Sequence, residues 1–295
     1  MIDSYPTRSC RTARIEPRRD PVVWAMPGGP YHQGPLNQQA VDGFAADGFL
    51  AVDPLLEADV VADLRAELDA LRADPVLADD ERSVLEPDSR DVRSIFDVHR
   101  LNPAFAALVA SPVLLGPVRQ LLGSEVYVHQ SRVNFKPGFN GQDFYWHSDF
   151  ETWHAEDGMP VPRAVSVSIA LTDNLDCNGP LMIIPGSHRW FVSCPGETPV
   201  DHYRSSLRRQ EIGTPDQASV SWLASQGGIR QFTGPAGSAV FFDCNAMHGS
   251  NSNITPYPRS NVFVVYNSVE NTLVEPFGAP VPRPSFIASR SFDPV

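Results

Sequence analysis

From about residue 125 onward, short apolar segments alternate with polar positions and are closed by glycine or proline. Val126 and Val128, then Val133 and Phe135, alternate with polar residues as a half-buried strand would. Val165, Val167, Ile169 and Leu171 repeat the pattern. Leu181–Ile184 is a short apolar run ending in Pro185-Gly186, and Ser238–Asp243 and Val262–Asn267 are two further strand candidates. The 28 prolines and 20 glycines in 295 residues favour turns over long helices. Such a chain is predicted to be mainly β, an antiparallel sandwich or jelly roll with flanking helices.

The first third reads differently. Val60, Val61, Leu64, Leu68 and Leu71 recur at spacings of three and four, one apolar stripe of a helix that Pro75 stops. Residues 104–122 form a second helical segment, interrupted by Pro112 and Pro117 and closed by Gly123. Residues 1–36 are rich in Pro, Arg and Gly without periodicity, and read as an extended arm lying on the domain surface. Residues 37–295 then form a single domain with a helical N-terminal portion. Residues 195–230, rich in Ser, Gln and Gly, read as a lid loop.

Composition narrows the function. A formal charge of −12 argues against a nucleic-acid partner, whose binding rests on Lys and Arg against phosphate. Cys10, Cys177, Cys194 and Cys244 are scattered without CxxC spacing, which points away from thiolate zinc sites and towards a reducing compartment. No stretch reads as ~18 consecutive apolar residues and no apolar signal region opens the chain. A cytoplasmic protein with no membrane partner is expected.

The chemistry centres on His147-Ser148-Asp149. In extended chain, residues i and i+2 point to one face, so this pair aims an imidazole and a carboxylate at one point. They are two of the three ligands of the facial triad of non-haem Fe(II) oxygenases. Alone, the pair also fits a surface loop. His248, about a hundred positions on and just past a strand, supplies a third ligand. Arg259, before the next strand, supplies a planar fork for the far carboxylate of 2-oxoglutarate, the co-substrate such an iron centre needs.

With these in order, the chain resembles the phytanoyl-CoA dioxygenase family of 2-oxoglutarate-dependent enzymes. Asn178-Gly179-Pro180-Leu181-Met182-Ile183-Ile184-Pro185-Gly186-Ser187-His188 is similar to that family's strand-and-turn signature. Residues 144–160, FYWHSDFETWHAEDGMP, resemble the diagnostic stretch of ectoine hydroxylases, as do Tyr5-Pro6, Asp20-Pro21-Val22-Val23, Asn267–Asn271 and Pro282–Phe286.

The resemblance implies a double-stranded β-helix (jelly-roll, cupin-like) core and conversion of ectoine, 2-oxoglutarate and O₂ to 5-hydroxyectoine, succinate and CO₂. It implies Fe(II) on His147, Asp149 and His248; co-substrate contacts at Lys136, Ser250 and Arg259; substrate contacts at Gln130, Trp153 and Arg283; and a homodimer. Related halogenases lack the ligand carboxylate, so Asp149 favours hydroxylation. Trp146 and Phe150 read as core, and His154 and His188 as structural. His32, His99, His129 and His202 carry no metal spacing. Whether a substrate-facing aromatic is missing near Val264 stays open. Two rival readings are a hydroxylase of another small zwitterion, such as proline, and a non-catalytic metal-binding barrel.

Overall fold

The computed structural model describes residues 3–86 and 89–295. In chain order its strands are β1 (Arg14–Pro17), β2 (Phe49–Val52), β3 (Ser83–Leu85), β4 (Val92–Phe96), β5 (Val126–Lys136), β6 (Phe144–His147) and β7 (Ala164–Ala170). They continue as β8 (Leu181–Ile183), β9 (Trp190–Ser193), β10 (Arg230–Phe232), β11 (Ala239–Asp243), β12 (His248–Ser250) and β13 (Arg259–Ser268). A seven-stranded sheet runs β2-β11-β7-β13-β5-β4-β3, and a four-stranded sheet runs β10-β8-β12-β6. All their pairings are antiparallel. This is the expected mainly-β double sheet.

Alternation along the strands separates two apolar layers. Ala239 and Phe241 of β11 and Val262, Val264 and Tyr266 of β13 pack with Leu64, Leu68, Leu114, Val118 and Leu121 of the helices. Val240 and Phe242 of β11 and Phe263 of β13 join Leu181, Ile183 and Phe232 of the smaller sheet. Leu114, Val118 and Leu121 are fully buried, and each contributes roughly 1.5–3 kcal/mol of burial.

The strands are not half-buried, as the alternation had suggested. Ser166, Ser168, Gln130, Asn134 and Asn261 are as buried as their apolar neighbours. Their face is the polar lumen between the sheets rather than solvent. The first third also holds β2, β3 and β4, so it is less helical than expected.

The stripe at 60–71 is the helix Ala58–Ala73, and Pro75 begins the short helix Pro75–Ala78. The segment 104–122 is two helices, Pro103–Val109 and Pro112–Leu122. By length and mean hydropathy Pro103–Leu122 is long and apolar enough to cross a membrane. It is broken at Ser111, and 56% of its apolar window is buried inside the fold. That is the pattern of a core helix against a sheet.

The N-terminal segment is extended, but it is not simply on the surface. Its β1 pairs with β9, Tyr5 packs edge-on against Phe150 and Phe191, and Arg8 is buried. Residues 195–230 are not a plain loop, since they include the helices Tyr203–Ser206 and Gln217–Gly227.

Candidate metal centre and its two cavities

His147 is the last residue of β6. Ser148 stays extended (φ −106°, ψ 126°), and Asp149 opens a helical turn. The imidazole and carboxylate therefore share a face, as the spacing predicts. His248 opens β12 directly opposite His147 in the ladder, and the two rings lie 4.2 Å apart. Asp149 faces both: Oδ1 is 3.7 Å from His147 Nε2, and Oδ2 is 3.9 Å from His248 Nε2. Among the described residues these three form the one cluster able to hold a metal, with ligand atoms all within 4.8 Å of one another.

The supporting contacts set the protonation states a divalent cation needs. His147 Nδ1 lies 2.7 Å from the Tyr145 carbonyl and His248 Nδ1 lies 3.0 Å from the Ala246 carbonyl. Each Nδ1–H donates there, which leaves the Nε2 lone pair for the metal. Burial, reinforced by His248, holds His147 down at about 4. Burial alone would raise the Asp149 carboxyl. The facing His248 and His147, then Arg132 and the Ser166 hydroxyl donating at 3.1 Å, outweigh it and keep the carboxylate ionised.

Turns of the recognised signature hold this centre in place. Asn178 accepts from the Leu175 N–H and donates to the Asp173 carbonyl, fixing the turn. Gly179 follows at φ +72°, where a Cβ would lie 2.3 Å from the Asn251 carbonyl oxygen, so only glycine fits. Ser187 accepts from the Met247 N–H and so anchors the residue before His248.

A narrow pocket beside the metal cluster is lined by Arg259, Ser250, Arg132, Asn134, Phe144 and Phe263, with both histidines. Arg259 is fully desolvated, and burial lowers it to about 10. Its Nη1 donates to the Gly179 carbonyl at 2.6 Å, its Nε has no partner, and no carboxylate pairs with it among the described residues. A buried guanidinium without a counter-ion is costly unless an anion completes it.

A second, larger cavity of about 1060 Å³ opens outward from His147 and Asp149. Trp153, Arg132 and Arg283 line its wall, and residues 206–211 and 214–217 form its rim. Trp153 begins a π-helical turn, Trp153–Asp157, that continues the turn opened by Asp149. Such π turns re-aim side chains and often mark functional sites. Arg283 donates to both oxygens of Asp157, at 2.8 and 2.6 Å, so Nη1 is left for a ligand.

The predicted residues fall into two groups. His147, Asp149, His248, Ser250, Arg259, Trp153 and Arg283 line the metal cluster and its cavities. Lys136 does not line either cavity. Its Nζ donates to the Gln142 and Asn251 carbonyls, 2.7 Å each. Gln130 is also held back: Nε2 donates to the Ile287 carbonyl, and Oε1 accepts from Arg132.

Arg132, Asn134 and Phe263 were missed. Along β5, Gln130, Arg132, Asn134 and Lys136 share one face; the resemblance placed the first and last, and the strand's period of two would have added the middle pair. Near Val264 the strand alternation decides which side chains face inward. Val264 faces the helix layer and Phe263 faces the pocket.

Phe150 is core and Trp146 packs partly buried beside Ile184 and Met247, as expected. His188 lies within reach of the Ala45 carbonyl, and His154 stacks on Phe277 at 4.1 Å.

Comparison with known proteins agrees with the geometry. The family model described as phytanoyl-CoA dioxygenase matches residues 44–261. A protein of Streptomyces coelicolor named ectoine dioxygenase is 56% identical over all of this chain and 97% of its own length. The crystal structure of EctD from S. alaskensis with 2-oxoglutarate and 5-hydroxyectoine superposes with a TM-score of 0.89 at 46% identity, covering 100% of this chain and 96% of that one. The same enzyme with bound Fe gives 0.86 at 46% identity, covering 98% and 95%. The chain belongs to the phytanoyl-CoA dioxygenase family and, within it, to the ectoine dioxygenases.

Proposed function

We propose that the protein is an ectoine 5-hydroxylase, converting ectoine, 2-oxoglutarate and O₂ to 5-hydroxyectoine, succinate and CO₂. The observation that carries this reading is a two-histidine, one-carboxylate cluster beside a buried, unpaired Arg259, in a chain this close to ectoine dioxygenases over its full length. His147, Asp149 and His248 fit Fe(II): both imidazoles turn Nε2 towards the Asp149 carboxylate, which is ionised and oriented by Ser166. Bound Fe(II) supplies oxygen activation, with 2-oxoglutarate as the electron donor.

The side chains do the rest by binding and orientation. Arg259 and Ser250 take the far carboxylate of 2-oxoglutarate in the narrow pocket, which completes the guanidinium's charge. Arg132, reaching both cavities and steered by Gln130, stands where co-substrate and substrate meet. Trp153 presents an aromatic wall to the amidinium ring of ectoine, worth roughly 0.5–2 kcal/mol per contact. Arg283 Nη1 takes the ectoine carboxylate while Asp157 holds the fork still. Lys136 acts at a distance, tying the Gln142 and Asn251 segments together.

A non-catalytic metal barrel has no use for Arg259. A hydroxylase of another zwitterion shares the iron centre and differs only at the wall of Trp153 and Arg283. A cytoplasmic homodimer accords with the reading, and the four free cysteines suit a reducing compartment. The test is succinate release by the Fe(II)-loaded protein with ectoine and, separately, with proline. Release that depends on ectoine supports the proposal; release that depends on proline alone overturns it.

A further inference from the structure

From the geometry around Arg8 we infer that this N-terminal residue is a positioning residue for the substrate cavity. It locks the turn carrying Trp153 to the rim at 206–217. The side chain is buried and grips two carboxylates of that turn. Nε and Nη2 donate to Glu151 at 2.8 and 2.9 Å, and Nη2 also lies 3.2 Å from Glu156. Glu151 and Glu156 flank Trp153 in the same continuous turn that Asp149 opens and Asp157, the partner of Arg283, closes.

The same guanidinium reaches the outer segments. Nη1 lies 3.3 Å from the Thr198 hydroxyl, and Glu156 meets His202 Nδ1 at 2.9 Å. The Arg8 backbone donates to the Cys194 carbonyl and accepts from the Gly196 N–H. The rim presses directly on the pair. At Gly213 (φ +77°) a Cβ would fall 2.2 Å from Arg8 Nη2 and 2.9 Å from Glu151 Oε2. One planar fork therefore joins the inner wall of the cavity to the strand-end segment at 194–198 and lies directly against Gly213 of the rim.

Lysine keeps the charge but cannot make the bidentate grip, because it is a point charge on a flexible stem. Arg8→Lys is therefore the informative variant. Gly213→Ala, whose methyl would collide with the Arg8–Glu151 pair, is the second. Two readouts are used on the full chain. The first is tryptic cleavage at Arg208 and Arg209, which lie on the rim, and it needs neither metal nor turnover. The second compares KM for ectoine with KM for 2-oxoglutarate, and it rests on the proposed function.

Both variants are expected to be cut at the rim about tenfold faster than the parent, and to raise KM for ectoine about tenfold while KM for 2-oxoglutarate stays within about twofold. Unchanged rim cleavage in both variants overturns the inference. So does a parallel rise in both KM values, the mark of general loosening. If the parent protein itself does not turn over ectoine, the proposed function fails, and the cleavage comparison still decides the role of Arg8.

Discussion

His147 and His248 are directly opposed residues of the β6–β12 ladder, with ring centroids 4.2 Å apart. Two ligands about a hundred positions apart in sequence thus become cross-strand neighbours, and Asp149 closes the triangle from the adjoining turn. Each ligand is therefore required: His147→Ala, Asp149→Ala and His248→Ala should each abolish turnover. Ser166→Ala should be subtler. Losing its 3.1 Å hydrogen bond to Asp149 should weaken Fe(II) affinity roughly 10- to 100-fold, read by anaerobic titration.

Arg259 is the buried cation with most to gain from the co-substrate. Hydrogen bonds to charged groups are worth roughly 1.5–3 kcal/mol, so Arg259→Gln should raise KM for 2-oxoglutarate on the order of 10- to 100-fold. In the parent protein, 2-oxoglutarate should raise the thermal midpoint by binding the native state alone. In Arg259→Gln that gain should be largely lost.

Lys136 gives an opposite expectation. It sits opposite Arg259 in the β5–β13 ladder, yet its amine serves two carbonyls. Burial, then repulsion from Arg259, holds its pKa well below the usual lysine range. Lys136→Met leaves two carbonyl oxygens without that donor and should destabilise the fold by roughly 1–3 kcal/mol. KM for 2-oxoglutarate should change far less than in Arg259→Gln. Denaturant melts and co-substrate titrations of the two variants separate these effects.

Much of this was legible in the sequence, and what was missed has definite causes. The HxD spacing specifies its own geometry because Ser148 stays extended. β12 carries only His248-Gly249-Ser250, with no apolar alternation to announce a strand. Its pairing comes from the neighbours, β6 and β8. The polar positions of β5, β7 and β13 looked solvent-facing because alternation does not distinguish water outside from a polar lumen inside. Arg8 gave no local signal, since its partner Glu151 is 143 positions away. Lys136 was placed by resemblance, which identifies a residue type at a position and not the direction of its amine.

The pH dependence of stability follows from two partly buried histidines. Burial, aided by Arg100, lowers His99 to about 4, and His147 is lowered similarly. An unfolded histidine titrates near 6.5. Between pH 6.5 and 4 the unfolded chain therefore binds more protons than the native one, and metal-free stability falls as pH drops through that window. Asp157 acts lower down. Burial opposes its ionisation, but the Arg283 fork prevails and lowers it to about 2. Its contribution is full above about pH 4 and is lost as pH falls towards 2. Thermal melts of metal-free protein should show the first decline before pH 4. A flat profile from pH 6.5 to 4 would contradict the burial of these imidazoles in neutral form.

The central claim is tested most directly by aerobic incubation of the purified protein with Fe(II), ascorbate, 2-oxoglutarate and ectoine, followed by mass detection. The account predicts a product heavier than ectoine by one oxygen atom, with one succinate formed per product. Ectoine recovered unchanged, with no succinate above the protein-free control, would contradict it.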